Sequence, residues 1–185
     1  PAAPDHAKAR IRAALEARMR EAATGMGVRG IVVRAGDFFG TGQGSWLDLA
    51  IAKRLERGVV MLPGPRGVPH AWAYLPDLAE TFVRVAAVRD RLPAFAALHF
   101  GGHTVTMDDW LAALQPGRQP LRVKAFPWPL LRLLAPFSPT LRGLCGMRYL
   151  WLRPHALDNA GLLACIGEEP HTPFATAVQQ AVRDL

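Results

Sequence analysis

One stretch constrains the fold of this chain more than any other: Gly30 to Gly44, GIVVRAGDFFGTGQG. Ile31, Val32 and Val33 are β-branched and apolar, and glycines bound the run. Such a run suits the interior of a parallel sheet, where both faces are covered. At Arg34 the apolar character ends, and a glycine-rich loop begins that holds one acid, Asp37. In open α/β sheets ligands bind beyond the carboxyl ends of the strands. Asp37 is therefore a candidate for chemistry. Its other reading is a turn residue that hydrogen-bonds its own loop.

The flanking sequence extends this pattern. From Asp5 to Ala23 a helix is expected: Ile11, Leu15 and Met19 recur every four residues, and Gly25 and Gly27 end the run. Helix, short turn and buried strand make half of a βαβ unit. Gly40, Gly42 and Gly44 are spaced as in a phosphate loop, but S-W-L-D from Ser45 to Asp48 has the form of a capping box, which suits a cap and turn. A helix is expected from Ser45 to Arg57, then a strand over Val59–Leu62. HAWAYL, His70 to Leu75, alternates as a half-exposed strand does. Pro76 and Asp77 fit the first turn of a helix that buries Leu78, Phe82, Val85 and Val88. His99 and His103 read as loop histidines. Thr106 to Asp109 is a second capping box, and Leu121 to Phe126 a strand. Pro127 to Pro154 is rich in leucine and interrupted by Pro136 and Pro139. In its MRYLW block the apolar side chains read as core plus one interfacial aromatic. Asp158 or Asn159 caps a short helix through Ile166, and Thr172 caps the last helix with Pro173 at its start.

Composition narrows the function classes. Half of the 185 residues are apolar and 20% are charged, as in a globular chain. No apolar run approaches the ~18 residues of a membrane span. No membrane partner is expected, and the protein is placed in the cytoplasm. The net charge of +7 comes mostly from arginine. It lacks interleaved aromatics, so nucleic acid is not the expected partner. Cys145 and Cys165 lie far apart in apolar segments and read as buried free thiols. No Cys or His spacing suggests a metal.

VRAGDFFGTG resembles the R-x-x-N-x-x-G-P segment of the extended short-chain dehydrogenase/reductase superfamily. It is most similar to the atypical NAD-dependent epimerase/dehydratase-like proteins. YLPDLAE, LHFGG and MRYLW resemble later elements of that group in the same order. The resemblance implies an α/β fold: the last part of a Rossmann-like parallel sheet (residues 1–44), then a smaller α+β substrate-binding part (45–185). It implies NAD or NADP as cofactor, a small-molecule substrate, and hydride transfer at the nicotinamide, and it admits a homodimer. The glycine-rich nucleotide-binding half would precede residue 1. Lys8 falls at the lysine of the family's Y-x-x-x-K motif and would hold the ribose as a catalytic and cofactor-binding residue. The tyrosine position is Pro4, which cannot move a proton, so catalysis by this chain alone is not expected. A non-catalytic NAD(P) sensor or scaffold is the alternative. The backbone at Ala35 and Gly36 would edge the nicotinamide, and Asp37 would face the substrate. His70 replaces an arginine that clamps the nucleotide-sugar diphosphate in the family, and would also face substrate. Read without the resemblance, Lys8 is an exposed first-turn lysine and His70 an edge-strand histidine in water.

Overall fold

The computed structural model describes residues 7–40, 42 and 44–183. The first helix, α1, spans Ala7–Gly25 and leads into the strand β1, Gly30–Arg34. β1 pairs in parallel with β5, Phe95–His99, from Gly30 opposite Phe95 to Arg34 opposite His99. α1 lies against both strands. Arg34 fixes the packing: Nη2 donates to Oε1 and Oε2 of Glu16 in α1, at 2.6 and 2.8 Å. Ile11 and Leu15, two members of the helix's apolar repeat, remain exposed.

The middle layer is a three-stranded sheet in the order β2–β4–β6. β2 is Asp37–Phe39, so Asp37 opens a short strand and is not in a loop. β4 is His70–Tyr74, parallel to β2 and antiparallel to β6, His103–Val105. All five residues of β4 are buried. The alternation of HAWAYL suggests a half-exposed strand and an edge-strand His70. Both expectations fail because β4 is flanked on each side. Two glycines allow this. A Cβ on Gly36 would stand 2.2 Å from the Ala71 carbonyl oxygen, and one on Gly102 2.2 Å from that of Trp72. Gly102 also has φ +55°, a conformation that favours glycine.

A third, parallel pair joins β3, Val59–Leu62, to β7, Arg122–Ala125. Between β2 and β3 the expected single helix is broken. Leu47–Ile51 forms one π-helical turn, and a 3₁₀ turn follows at Leu55–Arg57. Ser45 and Asp48 do bond reciprocally, Asp48 Oδ1 accepting from the Ser45 amide at 2.7 Å and Ser45 Oγ from the Asp48 amide at 3.5 Å, but the residue that caps the turn is Trp46, which has no side-chain cap bond. Helix α2, Leu75–Ala87, buries Leu78, Thr81 and Val85. Phe82 is on its exposed side, contrary to expectation. Helix α3, Met107–Leu114, opens on the Thr106/Asp109 capping box. Helices α4 (Trp128–Leu134) and α5 (Pro139–Gly146) pack on each other around Pro136. Helices α6 (Ala160–Ile166) and α7 (Phe174–Ala181) complete the chain, and α7 packs on α3. The main core gathers Phe39, Trp72, Trp110 and Trp151 between the middle sheet, β3, α3 and α7. Cys145 and Cys165 are unbonded to each other, as expected, but are half-buried. Among the described residues no helix is long and apolar enough to cross a membrane.

Candidate functional site

Asp37 and His70 meet. They lie 33 positions apart, and sheet register closes the distance. Asp37 is the partner of Trp72 across β2 and β4. His70 is two residues before Trp72, so its side chain leaves the same face of β4. Asp37 Oδ2 stands 2.7 Å from His70 Nε2. Asp37 does not take the bland turn-residue reading, because its carboxylate reaches across to β4.

The two partners differ in access. The His70 side chain is 3% exposed, and that of Asp37 is 28% exposed. One face of the His70 ring stacks on Trp151, with centroids 4.4 Å apart and planes 7° from parallel. His155 meets His70 edge to face at 4.1 Å. The backbone holds this roof in place, for the His155 amide donates to the Pro69 carbonyl at 3.2 Å. Burial lowers the pKa of His155, and His70 adds to the effect, while the Arg153 carbonyl and Asp37 act against it. His70 Nδ1 is buried and has no partner among the described residues. The arrangement is a carboxylate open to a ligand, oriented from behind by a buried imidazole. It can accept a hydrogen bond from a hydroxyl or take up a proton.

The other expected residues are placed as follows. Ala35 and Gly36 link β1 to β2 beside this pair. The Gly36 Cα is pressed against the Ala71 carbonyl, so packing alone demands glycine there. Lys8 is in the first turn of α1, and its side chain lies outside the described residues, as does Pro4. The glycines after β2 do not offer a phosphate cradle. The Gly44 and Ser45 amides donate to the Asp48 carboxylate, each at 2.7 Å, which leaves an anion where a phosphate would sit. Among the described residues no group of His, Cys, Asp and Glu could hold a metal ion. A groove of about 590 Å³ lined by Asp48, Glu56, Gly58 and Arg118 contains neither Asp37 nor His70.

Two carboxylates behind the site were not legible in advance. Asp77, expected only to fix the start of α2, accepts from the Thr172 amide and hydroxyl, each at 2.7 Å. Thr172 is thus a latch to α2 and not the cap of α7. Glu169 accepts from the amides of Gly101 and Gly102 at 2.9 and 2.8 Å, and from Asn159 Nδ2 at 2.9 Å. These bonds tie the C-terminal segment to the glycine turn before β6. His103, expected in a loop, is buried in β6 against His171 and Phe174. Burial lowers its pKa to about 4; His171 adds to this, and Asp77 and Glu169 oppose it.

No protein-family model matches the chain, and no curated protein sequence matches it. Its fold is nonetheless found among solved structures. A UDP-galactose 4-epimerase superposes with a TM-score of 0.70 at 19% identity, over 100% of this chain and 55% of the other. The UDP-glucose 4-epimerase of Thermus thermophilus, in complex with NAD, gives 0.68 at 18% identity, over 100% and 55%. DesIV, a dTDP-glucose 4,6-dehydratase from Streptomyces venezuelae with NAD bound, gives 0.68 at 19%, over 99% and 52%. The fold is thus the α/β fold of the NAD-dependent epimerases and dehydratases. The chain spans about half the length of these structures.

Proposed function

We propose that this chain is the C-terminal, substrate-binding portion of an NAD(P)-dependent epimerase/dehydratase or reductase-like protein. Residues 1–44 form the last edge of the nucleotide-binding sheet, and residues 45–185 the substrate-binding part. The substrate is a small carbonyl, alcohol or sugar-like molecule. The observation that carries the reading is the Asp37–His70 pair, 2.7 Å apart at the end of β1, in a fold shared with NAD-bound epimerases. The exposed Ile11 and Leu15 on α1 also suit a chain whose nucleotide-binding half packs on that helix.

Each residue has a defined task. Lys8 holds the cofactor ribose, and the backbone at Ala35 and Gly36 edges the nicotinamide. The bound cofactor supplies a hydride donor and acceptor. Asp37 accepts a hydrogen bond from the reacting hydroxyl and takes its proton, in a chain whose tyrosine position is Pro4. His70 holds the carboxylate in place by donating to Oδ2. Trp151 and His155 cover His70 and exclude water from behind.

Asp37→Asn tests this in the whole gene product. The amide keeps an acceptor for His70 but cannot take a proton. NADH or NADPH affinity is expected to hold within about twofold. Turnover of a carbonyl substrate should fall by roughly 100-fold, the usual lower bound for a general acid–base group. Unchanged turnover refutes the role of Asp37. The second reading is a non-catalytic NAD(P) sensor or scaffold, which Pro4 favours. Dinucleotide binding with no turnover across a panel of aldehydes, ketones and alcohols would select it.

A further inference from the structure

We propose that α4 and the turn after it form a surface that docks on anionic phospholipid membranes. The first observation is an apolar stripe that faces outward. Leu130, Leu133, Leu134 and Phe137 follow the i, i+3, i+4, i+7 spacing of one helical face. That face is exposed: the four side chains are 55, 70, 43 and 86% accessible. The opposite side of the same helix is buried, with Trp128 donating from its indole N–H to the Pro63 carbonyl at 2.7 Å and Leu131 packed on the core. The helix is therefore already anchored on its other side by Trp128 and Leu131. Tyr149 and Leu152, on the turn after α5, are exposed as well.

The second observation is charge. Between Asp109 and Asp158 the sequence contains no acidic residue. It does contain Arg118, Arg122, Lys124, Arg132, Arg142, Arg148 and Arg153, which account for the whole net charge of +7. Arg132 is exposed on the same helix, off the line of the stripe, and Arg142 and Arg153 are exposed close by in sequence. Among the described residues, every ion pair lies outside this segment.

Together these fix the occupant. A second copy of this chain would set cations against cations. A nucleic acid would satisfy the arginines but leave the leucines and Phe137 in contact with phosphates and water. A leaflet of anionic phospholipid accepts both: the apolar side chains enter the acyl boundary and the arginines meet the headgroups. No spanning helix is needed, because a surface helix lies in the interface plane.

The test is flotation of the full chain with vesicles. One set is phosphatidylcholine with 30% phosphatidylglycerol, a chosen composition on the order of natural anionic content, and the other is phosphatidylcholine alone. Binding to the anionic set, weakened by salt, is expected. Leu133→Glu with Phe137→Glu should reduce it by roughly 100-fold, the loss from two buried apolar side chains at about 1.5 kcal/mol each. Arg132→Ser with Arg142→Ser should reduce it by about 30-fold, at about 1 kcal/mol per cation. Both pairs are surface changes, and an unchanged thermal unfolding midpoint confirms intact folding. Three results overturn the proposal: no binding to anionic vesicles, binding that the Leu133/Phe137 pair leaves intact while duplex DNA competes it away, or a dimer by light scattering that the same pair dissolves.

Discussion

His103 makes the stability of this protein depend on pH in a calculable way. Its ring is buried in β6 among Phe39, His171 and Phe174. Burial is the largest cause of its lowered pKa, about 4 against an ordinary 6.5. The unfolded chain therefore binds a proton at His103 between pH 6.5 and 4 that the folded chain does not. The contribution is full above pH 6.5, is lost as pH falls towards 4, and then levels off. A gap of about 2.5 pH units corresponds to about 3 kcal/mol. Urea unfolding at pH 7.5, 6.5, 5.5 and 4.5 reads it directly. His103→Leu removes the titrating group and retains an apolar side chain of similar size in the pocket. The wild-type protein should lose about 2.5 kcal/mol more than the variant from pH 7.5 to 4.5, the remainder being lost below that pH. Parallel loss in the two proteins would refute the burial argument. His155, whose pKa is also lowered, remains in both and cancels.

Gly36→Ala forces a Cβ to within 2.2 Å of the Ala71 carbonyl oxygen. It should destabilise the protein by more than about 2 kcal/mol, as overpacking against backbone does, measured by denaturant unfolding. Asp77→Ala strips the Thr172 amide and hydroxyl of their acceptor. Two lost bonds to a carboxylate amount to roughly 3 kcal/mol, and calorimetry should show a midpoint lower by about 6–12 °C. Glu169→Gln keeps one acceptor oxygen for the Gly101 and Gly102 amides and should be milder than Glu169→Ala, which loosens the turn before β6. Hydrogen exchange at those two amides distinguishes the variants.

Local signals were legible in the sequence where one element carried them whole. The β-branched run of β1 marked a parallel strand, although Ile31 to Val33 are half-buried in a two-stranded pair and not enclosed in a sheet interior, and the Thr106 box is complete in a few residues. Asp37 and His70 were each identifiable as candidates, but their contact was not, because only the parallel register of β2 on β4 creates it. The burial of His70 was hidden for the same reason: small alanines on β4 mimic an alternating edge strand, while Gly36 and Gly102 let neighbours close on both sides. The Ser45–Arg57 segment misled because Leu47, Ile51 and Leu55 keep a helical repeat that Leu49, which is exposed, does not share. Glu169 gave no motif, since two of its three donors are backbone amides. His155 gave none either; it matters through its place beside Trp151 and His70.

In the proposed function this chain carries the substrate side of a dinucleotide site. The most direct measurement is titration of the whole gene product with NADH and NADPH, followed by dinucleotide fluorescence. Saturable binding of one of them is expected. Asp37→Asn should retain that binding, because the proposed role of Asp37 is towards substrate and not the cofactor. If neither dinucleotide binds, or if Asp37→Asn abolishes binding in a folded protein, the proposed function is refuted.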